Sequence, residues 1–210
     1  MRRGRGRAGP SVQASPRYPL ATAGGRVLPS SAWSWSWCVV SGAQRRSRWS
    51  YYRLSPDWAR TLVAEAGVRA GDTVVDLGAG AGALTGPLVD AGARVIAIER
   101  HPARAQALRR RFGERAVVVE GDIRDLHLPP RPFRVVANPP FHLARTVVAR
   151  LLGARLLVGA DLVLRRDTAA NLAGRTAGRR YVVELGRSVP RAAFRPAPSV
   201  DAAVLRIRRR

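Results

Sequence analysis

Asn138-Pro139-Pro140-Phe141 follows an apolar run, Val135-Val136-Ala137, that reads as the end of a buried strand. The two prolines bring no N–H groups and fix their own φ, so the turn is stiff and its carbonyls have no helical partners. A stiff turn of acceptors ahead of a flat ring suits a planar group that carries N–H donors. Alone, the tetrapeptide reads more simply as a proline-terminated strand with a core phenylalanine. Three other stretches change that balance. Asp76-Leu77-Gly78-Ala79-Gly80-Ala81-Gly82 closes an apolar run with glycines that permit positive φ and close backbone approach to a ligand. Ala97-Ile98-Glu99 places an acid 21 residues after Gly78, where a carboxylate can grip a ribose diol. Val119-Glu120-Gly121-Asp122-Ile123 offers an acceptor for an exocyclic amine and an apolar side chain for the face of a base.

These stretches need a scaffold that brings strand ends together, and the apolar patterning predicts one. A proline-started helix after Ser55-Pro56-Asp57 ends at Gly67, followed by a strand at 73–77, a helix to about 91, a strand at 94–98, a helix at 102–112 and a strand at 116–120. A strand at 133–137, a helix at 143–152, a strand near 158–165 and a helix around 167–174 come next, before strand-like runs Tyr181–Leu185 and Ala202–Ile207. The alternation predicts an α/β fold with a mostly parallel, twisted sheet and helices on both faces. In such a sheet ligands bind beyond the carboxyl ends of the strands, where all four stretches fall.

Composition limits the partners. The 210 residues carry a formal net charge of +23, and all 37 basic residues are arginine. The absence of lysine matches a GC-rich coding sequence, yet so large a positive surplus favours a phosphate-rich partner. Residues 1–50 hold nine arginines and no acid in a glycine, proline and serine background, which predicts a disordered basic arm ahead of a domain at 51–210. Met1 is the only methionine, and a downstream start at a non-methionine codon is the other reading of this arm. One cysteine and three scattered histidines argue against a disulfide framework or a metal site, and no apolar run approaches the roughly 20 residues of a membrane span. A cytoplasmic monomer is expected.

The first two stretches fit NAD as well as S-adenosylmethionine. Asp76 beside the glycines, Asp122 and the Asn-Pro-Pro-Phe turn favour the latter, because hydride transfer has no use for such a turn and methyl transfer to an amine does. With Phe194-Arg195-Pro196-Ala197-Pro198-Ser199-Val200-Asp201-Ala202-Ala203-Val204 added, residues 55–210 resemble the Erm and KsgA family of rRNA adenine-N6 methyltransferases. Phe141 and Ala160-Asp161-Leu162-Val163-Leu164-Arg165 look closer to Erm, the 23S rRNA enzymes of macrolide, lincosamide and streptogramin B resistance. The resemblance implies a Rossmann-like class I methyltransferase fold that binds S-adenosylmethionine. It assigns Gly78, Ala79 and Gly80 to the methionine part of that cofactor. Glu99 falls at the ribose and Asp122 with Ile123 at the adenine, with Asp76, Arg100 and Asn138 as further cofactor contacts. Asn138, Pro139 and Phe141 would hold the target base, with Phe194 as a second candidate for stacking and, equally, for packing.

Two departures from the family pattern bear on this reading. Ser50-Tyr51-Tyr52-Arg53-Leu54 stands where relatives carry Gly-Gln-Asn-Phe-Leu or its His variant, and the chain ends at Arg210 where relatives commonly continue into a helical RNA-binding domain. RNA grip is therefore expected from the arginine surface, including Arg206 and Arg208 to Arg210. The competing readings are a 16S rRNA, DNA adenine or glutamine amide methyltransferase, and a basic RNA-binding protein that keeps the fold without catalysis.

Overall fold

The computed structural model describes residues 52–125, 127–174 and 180–210. The basic arm expected over residues 1–50, and the onset of order at Tyr51, lie outside the described residues. The chain opens with a two-residue strand, β1 (Arg53–Leu54), and helix α1 (Pro56–Glu65), then alternates β2 (Thr73–Leu77), α2 (Thr85–Asp90), β3 (Arg94–Glu99), α3 (Pro102–Phe112) and β4 (Ala116–Glu120). After β5 (Phe133–Ala137) come α4 (Ala144–Gly153), β6 (Leu157–Arg165), α5 (Arg166–Leu172), β7 (Tyr181–Val189), β8 (Phe194–Arg195) and β9 (Ala202–Arg209). Pro56 and Pro102 each start a helix, where the missing N–H costs nothing. α2 is shorter than its sequence pattern, because the glycine turn runs on to Leu84 before helical geometry begins.

Seven strands form one sheet in the order β4-β3-β2-β5-β6-β9-β7. The pairs from β4 through β6 are parallel, and β9 runs antiparallel to both of its neighbours. All five residues of β2 are buried, which requires cover on both faces of the sheet. On one face Val74, Val95, Ala97, Val136 and Val163 join a cluster with Leu62 of α1, Leu88 of α2, and Leu108 and Phe112 of α3. The alternate residues Val75, Ile96, Ile98 and Val135 point to the opposite face and are equally buried. This is the mostly parallel α/β architecture expected from the alternation, in the Rossmann-like class I form that the resemblance implies. The order in which strands are added reverses between β2 and β5, which stay parallel, so the crevice for a ligand opens where Gly78 and Asn138 leave adjacent strands.

β1 and β8 make a separate two-stranded ladder, with Leu54 opposite Phe194 and Arg53 opposite Arg195. The Ser55 N–H donates to the Ala193 carbonyl at 2.8 Å and extends this pairing. Leu54 and Phe194 are 2% and 0% exposed, so the ladder is a strap fastened by its buried face.

Candidate active site

The glycine turn is held to the end of β3 by its own backbone. The N–H groups of Gly78 and Ala79 both donate to the Ile98 carbonyl, at 2.8 and 2.9 Å, and the Gly80 N–H donates to Glu99 Oε2 at 2.8 Å. The turn therefore presents a ligand with shape rather than free N–H donors. Gly78 adopts φ +76°, and a Cβ there would lie 3.2 Å from Pro140 Cδ and 3.6 Å from Ile123 Cδ1. The glycine turn, the Asn-Pro-Pro turn and the loop after β4 thus converge at one point.

Around that point lies a cleft lined by Tyr52, Gly78, Glu99, Arg100, Asp122, Ile123 and the run from Asn138 to Leu143. The second oxygen of Glu99 accepts the His101 N–H at 2.7 Å, so a buried carboxylate is fixed by one backbone donor at each oxygen and keeps lone pairs in reserve. Asp122 is gripped by the Arg124 fork, with Nε at 3.0 Å and a terminal nitrogen at 2.7 Å, and Arg100 approaches it at 3.4 Å. The Arg124 bond, aided by the charge of Arg100, holds the Asp122 carboxyl below its ordinary range. Arg150 of α4 donates to the carbonyls of Ile123 and Arg124 and steadies this loop. Asp76 lines a smaller adjoining cavity with Tyr52, Gly78, Ala79 and Asn138. Burial raises its carboxyl to about 7, reinforced by the charge of Glu99 and opposed by the Thr85 hydroxyl, which donates to it at 2.7 Å.

The Asn-Pro-Pro-Phe turn has a contact that the side-chain pattern did not reveal. Asn138 Nδ2 donates to the main-chain carbonyl of Tyr52 at 2.7 Å, which directs the amide oxygen away from that contact as an acceptor. The Tyr52 ring lies 5.4 Å from the Phe141 ring with a 32° tilt, and Phe194 meets Phe141 edge-on at 6.4 Å and 83°. Phe194 is fully buried, which favours packing over stacking of the two roles open to it, and its edge-on contact braces Phe141. A main-chain acceptor leaves no mark in side-chain composition, and an aromatic residue before α1 was the only trace of this contact. The expected C-terminal RNA grip also changes. Arg208 contacts Asp161 at 2.9 Å, and Arg206 bridges Asp161 and Glu65 at 3.2 Å each, so both serve the fold. Among the described residues no group of three His, Cys, Asp or Glu side chains could hold a metal ion, and no helix is long and apolar enough to cross a membrane.

The sequence model of the ribosomal RNA adenine dimethylase family matches residues 44–210. The chain belongs to that family. Among its relatives, the mycinamicin-resistance protein MyrB of Micromonospora griseorubida is 36% identical over 145 residues, covering 65% of this chain and 47% of MyrB. The ribosomal RNA small subunit methyltransferase A of Cupriavidus taiwanensis is 31% identical over 156 residues, covering 66% of this chain and 56% of that protein. The chain thus spans about half the length of these relatives of the dimethylase family. The crystal structure of the 23S rRNA methyltransferase ErmE superposes with a TM-score of 0.69 at 27% identity, covering 75% of this chain and 70% of ErmE.

Proposed function

We propose that this chain transfers a methyl group from S-adenosylmethionine to the N6 amine of an adenine in 23S rRNA, and so confers macrolide, lincosamide and streptogramin B resistance. The observation that carries the reading is the Asn138 amide, turned by the Tyr52 carbonyl so that its oxygen is the acceptor beside the cleft. The cleft fits the cofactor in kind: a fixed carboxylate, Glu99, for a ribose diol, the buried apolar Ile123 for a base, and Gly78 where a side chain would intrude. Asp76, Ala79 and Gly80 would hold the methionine part, Arg100 would flank the ribose, and Asp122 would share its carboxylate between Arg124 and the adenine amine. When bound, S-adenosylmethionine supplies a methyl group already activated by a positive sulfur. The chain's own task is to prepare the amine. The N6 lone pair of adenine is delocalised into the ring, and two acceptors that take its N–H groups favour a more tetrahedral, more nucleophilic nitrogen. Leu143 N–H takes the Pro140 carbonyl at 2.9 Å, which leaves Asn138 Oδ1 and the Pro139 carbonyl as the turn's acceptors for that amine. Phe141 would stack on the extruded base. No strong general base is required, because the nitrogen becomes acidic once methylated, and placement supplies much of the rate.

The 23S assignment draws on the likeness to ErmE and the resistance on the likeness to MyrB, and the likeness to a small-subunit enzyme supports 16S rRNA as the second reading. The same reading takes residues 51–210 as the catalytic unit, acting as a cytoplasmic monomer, with the arginine-rich first fifty residues as an added RNA contact. Incubation with labelled S-adenosylmethionine and total ribosomal RNA from drug-sensitive cells tests it. Label in 23S rRNA as N6-methyladenosine is expected; label confined to 16S rRNA selects the second reading, and no label in either sinks both.

A further inference from the structure

Arg53 and Arg195 are directly opposite each other in the β1–β8 ladder, which has two residue pairs in all. The other pair, Leu54 and Phe194, points into the core, so both arginines project from the outer face, and both are exposed. Directly opposed residues of an antiparallel ladder bring their Cβ atoms to about 4.5–5.5 Å, and like charges there are destabilising. Among the described residues no carboxylate forms an ion pair with either one. Arg195 donates to two main-chain carbonyls, those of Ala192 at 3.1 Å and Phe194 at 3.0 Å, which steer the guanidinium without neutralising it. The location is as telling as the charge. Arg53 follows the Tyr52 carbonyl that holds Asn138, and Arg195 follows the phenylalanine that braces Phe141. Arg53 also lines the small cavity that holds Asp76, Gly78 and Asn138, so two exposed, uncompensated arginines on neighbouring strands lie at the edge of the site and can both donate to the oxygens of one phosphate.

We propose that Arg53 and Arg195 together bind one backbone phosphodiester of the RNA strand next to the target adenine, an inference that rests on the RNA-methylating reading above. The strap would then register the RNA strand with the outer face that carries the two arginines and orient Asn138 through Tyr52. The test compares Arg53→Gln, Arg195→Gln and the double variant with an exposed charge control on α3, Arg110→Gln, in the full chain. Binding of a 23S rRNA fragment and of an unrelated single-stranded RNA of equal length is titrated over a range of salt concentrations. The expected result is weaker binding of both RNAs, with the slope of log affinity against log salt reduced by about 0.7 to 1, as for one lost phosphate contact. Arg195→Gln, outside the lining of either cavity, should leave cofactor affinity unchanged, and the melting temperature of each variant should be unchanged or raised by relief of repulsion. Arg53→Lys and Arg195→Lys, which keep the charge, should recover part of the RNA affinity. An unchanged salt slope, an equal loss in Arg110→Gln, or a lowered melting temperature would each overturn the proposal. So would loss of cofactor affinity alone, which would reassign the pair to the cofactor's carboxylate. Because binding is read rather than transfer, a wild-type chain that binds RNA through this pair but methylates nothing would refute the enzymatic reading alone.

Discussion

Asp76 is the acid most altered by its surroundings, and its position makes a testable demand on stability. Its folded form holds a proton up to about pH 7 because burial disfavours the charge, whereas in the unfolded chain it ionises near 3.8. The folded state therefore binds the proton more tightly, so this group's stabilisation is full below about pH 4 and is lost as pH rises through 7. Asp76→Asn keeps an acceptor for the Thr85 hydroxyl and removes the titration. Chemical unfolding should show the variant more stable than wild type at pH 8.5, on the order of 2–4 kcal/mol, with the advantage gone near pH 4. Parallel stability curves would mean that Asp76 does not titrate in this window. Tyr52 works differently, through a main-chain oxygen that no substitution removes directly. Its influence must be tested through whatever holds the peptide in place.

That support is the β1–β8 strap. Leu54→Gly removes the buried anchor next to Tyr52 and should cost about 2–5 kcal/mol of stability. At a temperature where the variant remains folded, the Asn138 side-chain amide resonances should lose the dispersion and exchange protection of the bonded state. Unaltered resonances would show that the strap does not orient the amide. The glycine turn gives a second contrast. Gly82 has φ +81°, and an added Cβ would lie 2.7 Å from the Phe112 ring, whereas nothing lies within 4 Å of a Cβ added at Gly121. Thermal melting should show Gly82→Ala destabilised by at least about 2 kcal/mol and Gly121→Ala by less than about 0.5. Much of this framework was legible in the sequence. β2 and β5, at 73–77 and 133–137, stand where the apolar runs placed them, because buried parallel strands are written as continuous β-branched stretches, and β4 at 116–120 was legible from the same kind of run although it is an edge strand with Val117 exposed. The α3 boundaries were equally plain from Pro102 and Gly113. β1 and β8 were not, since two-residue strands have no periodicity to read. The short α2 escaped because glycines mark a turn without stating its length.

The arginine excess of the whole chain divides into structural and available charge. Glu65 ties α1 to β7 and β9 through Arg187 and Arg206, and those bonds, led by Arg187, hold its carboxyl below the ordinary range. Asp161, 8% exposed at its side chain, compensates Arg206 and Arg208. Asp161→Asn should destabilise the fold by about 1–3 kcal/mol, since it strands two partly exposed cations. A variant that melts with wild type would return Arg206 and Arg208 to the pool available for RNA. This sorting was invisible in the sequence, where Arg206 and Arg208 to Arg210 form one basic cluster and Asp161 is 45 residues away from Arg206. The fold, the cleft and the strap all act on the Asn138 amide, and single-turnover methyl transfer tests that convergence most directly. With Asn138→Ala, the rate of transfer to 23S rRNA should fall at least about 100-fold while cofactor affinity stays within about twofold of wild type. Near-normal turnover in that variant would contradict the account.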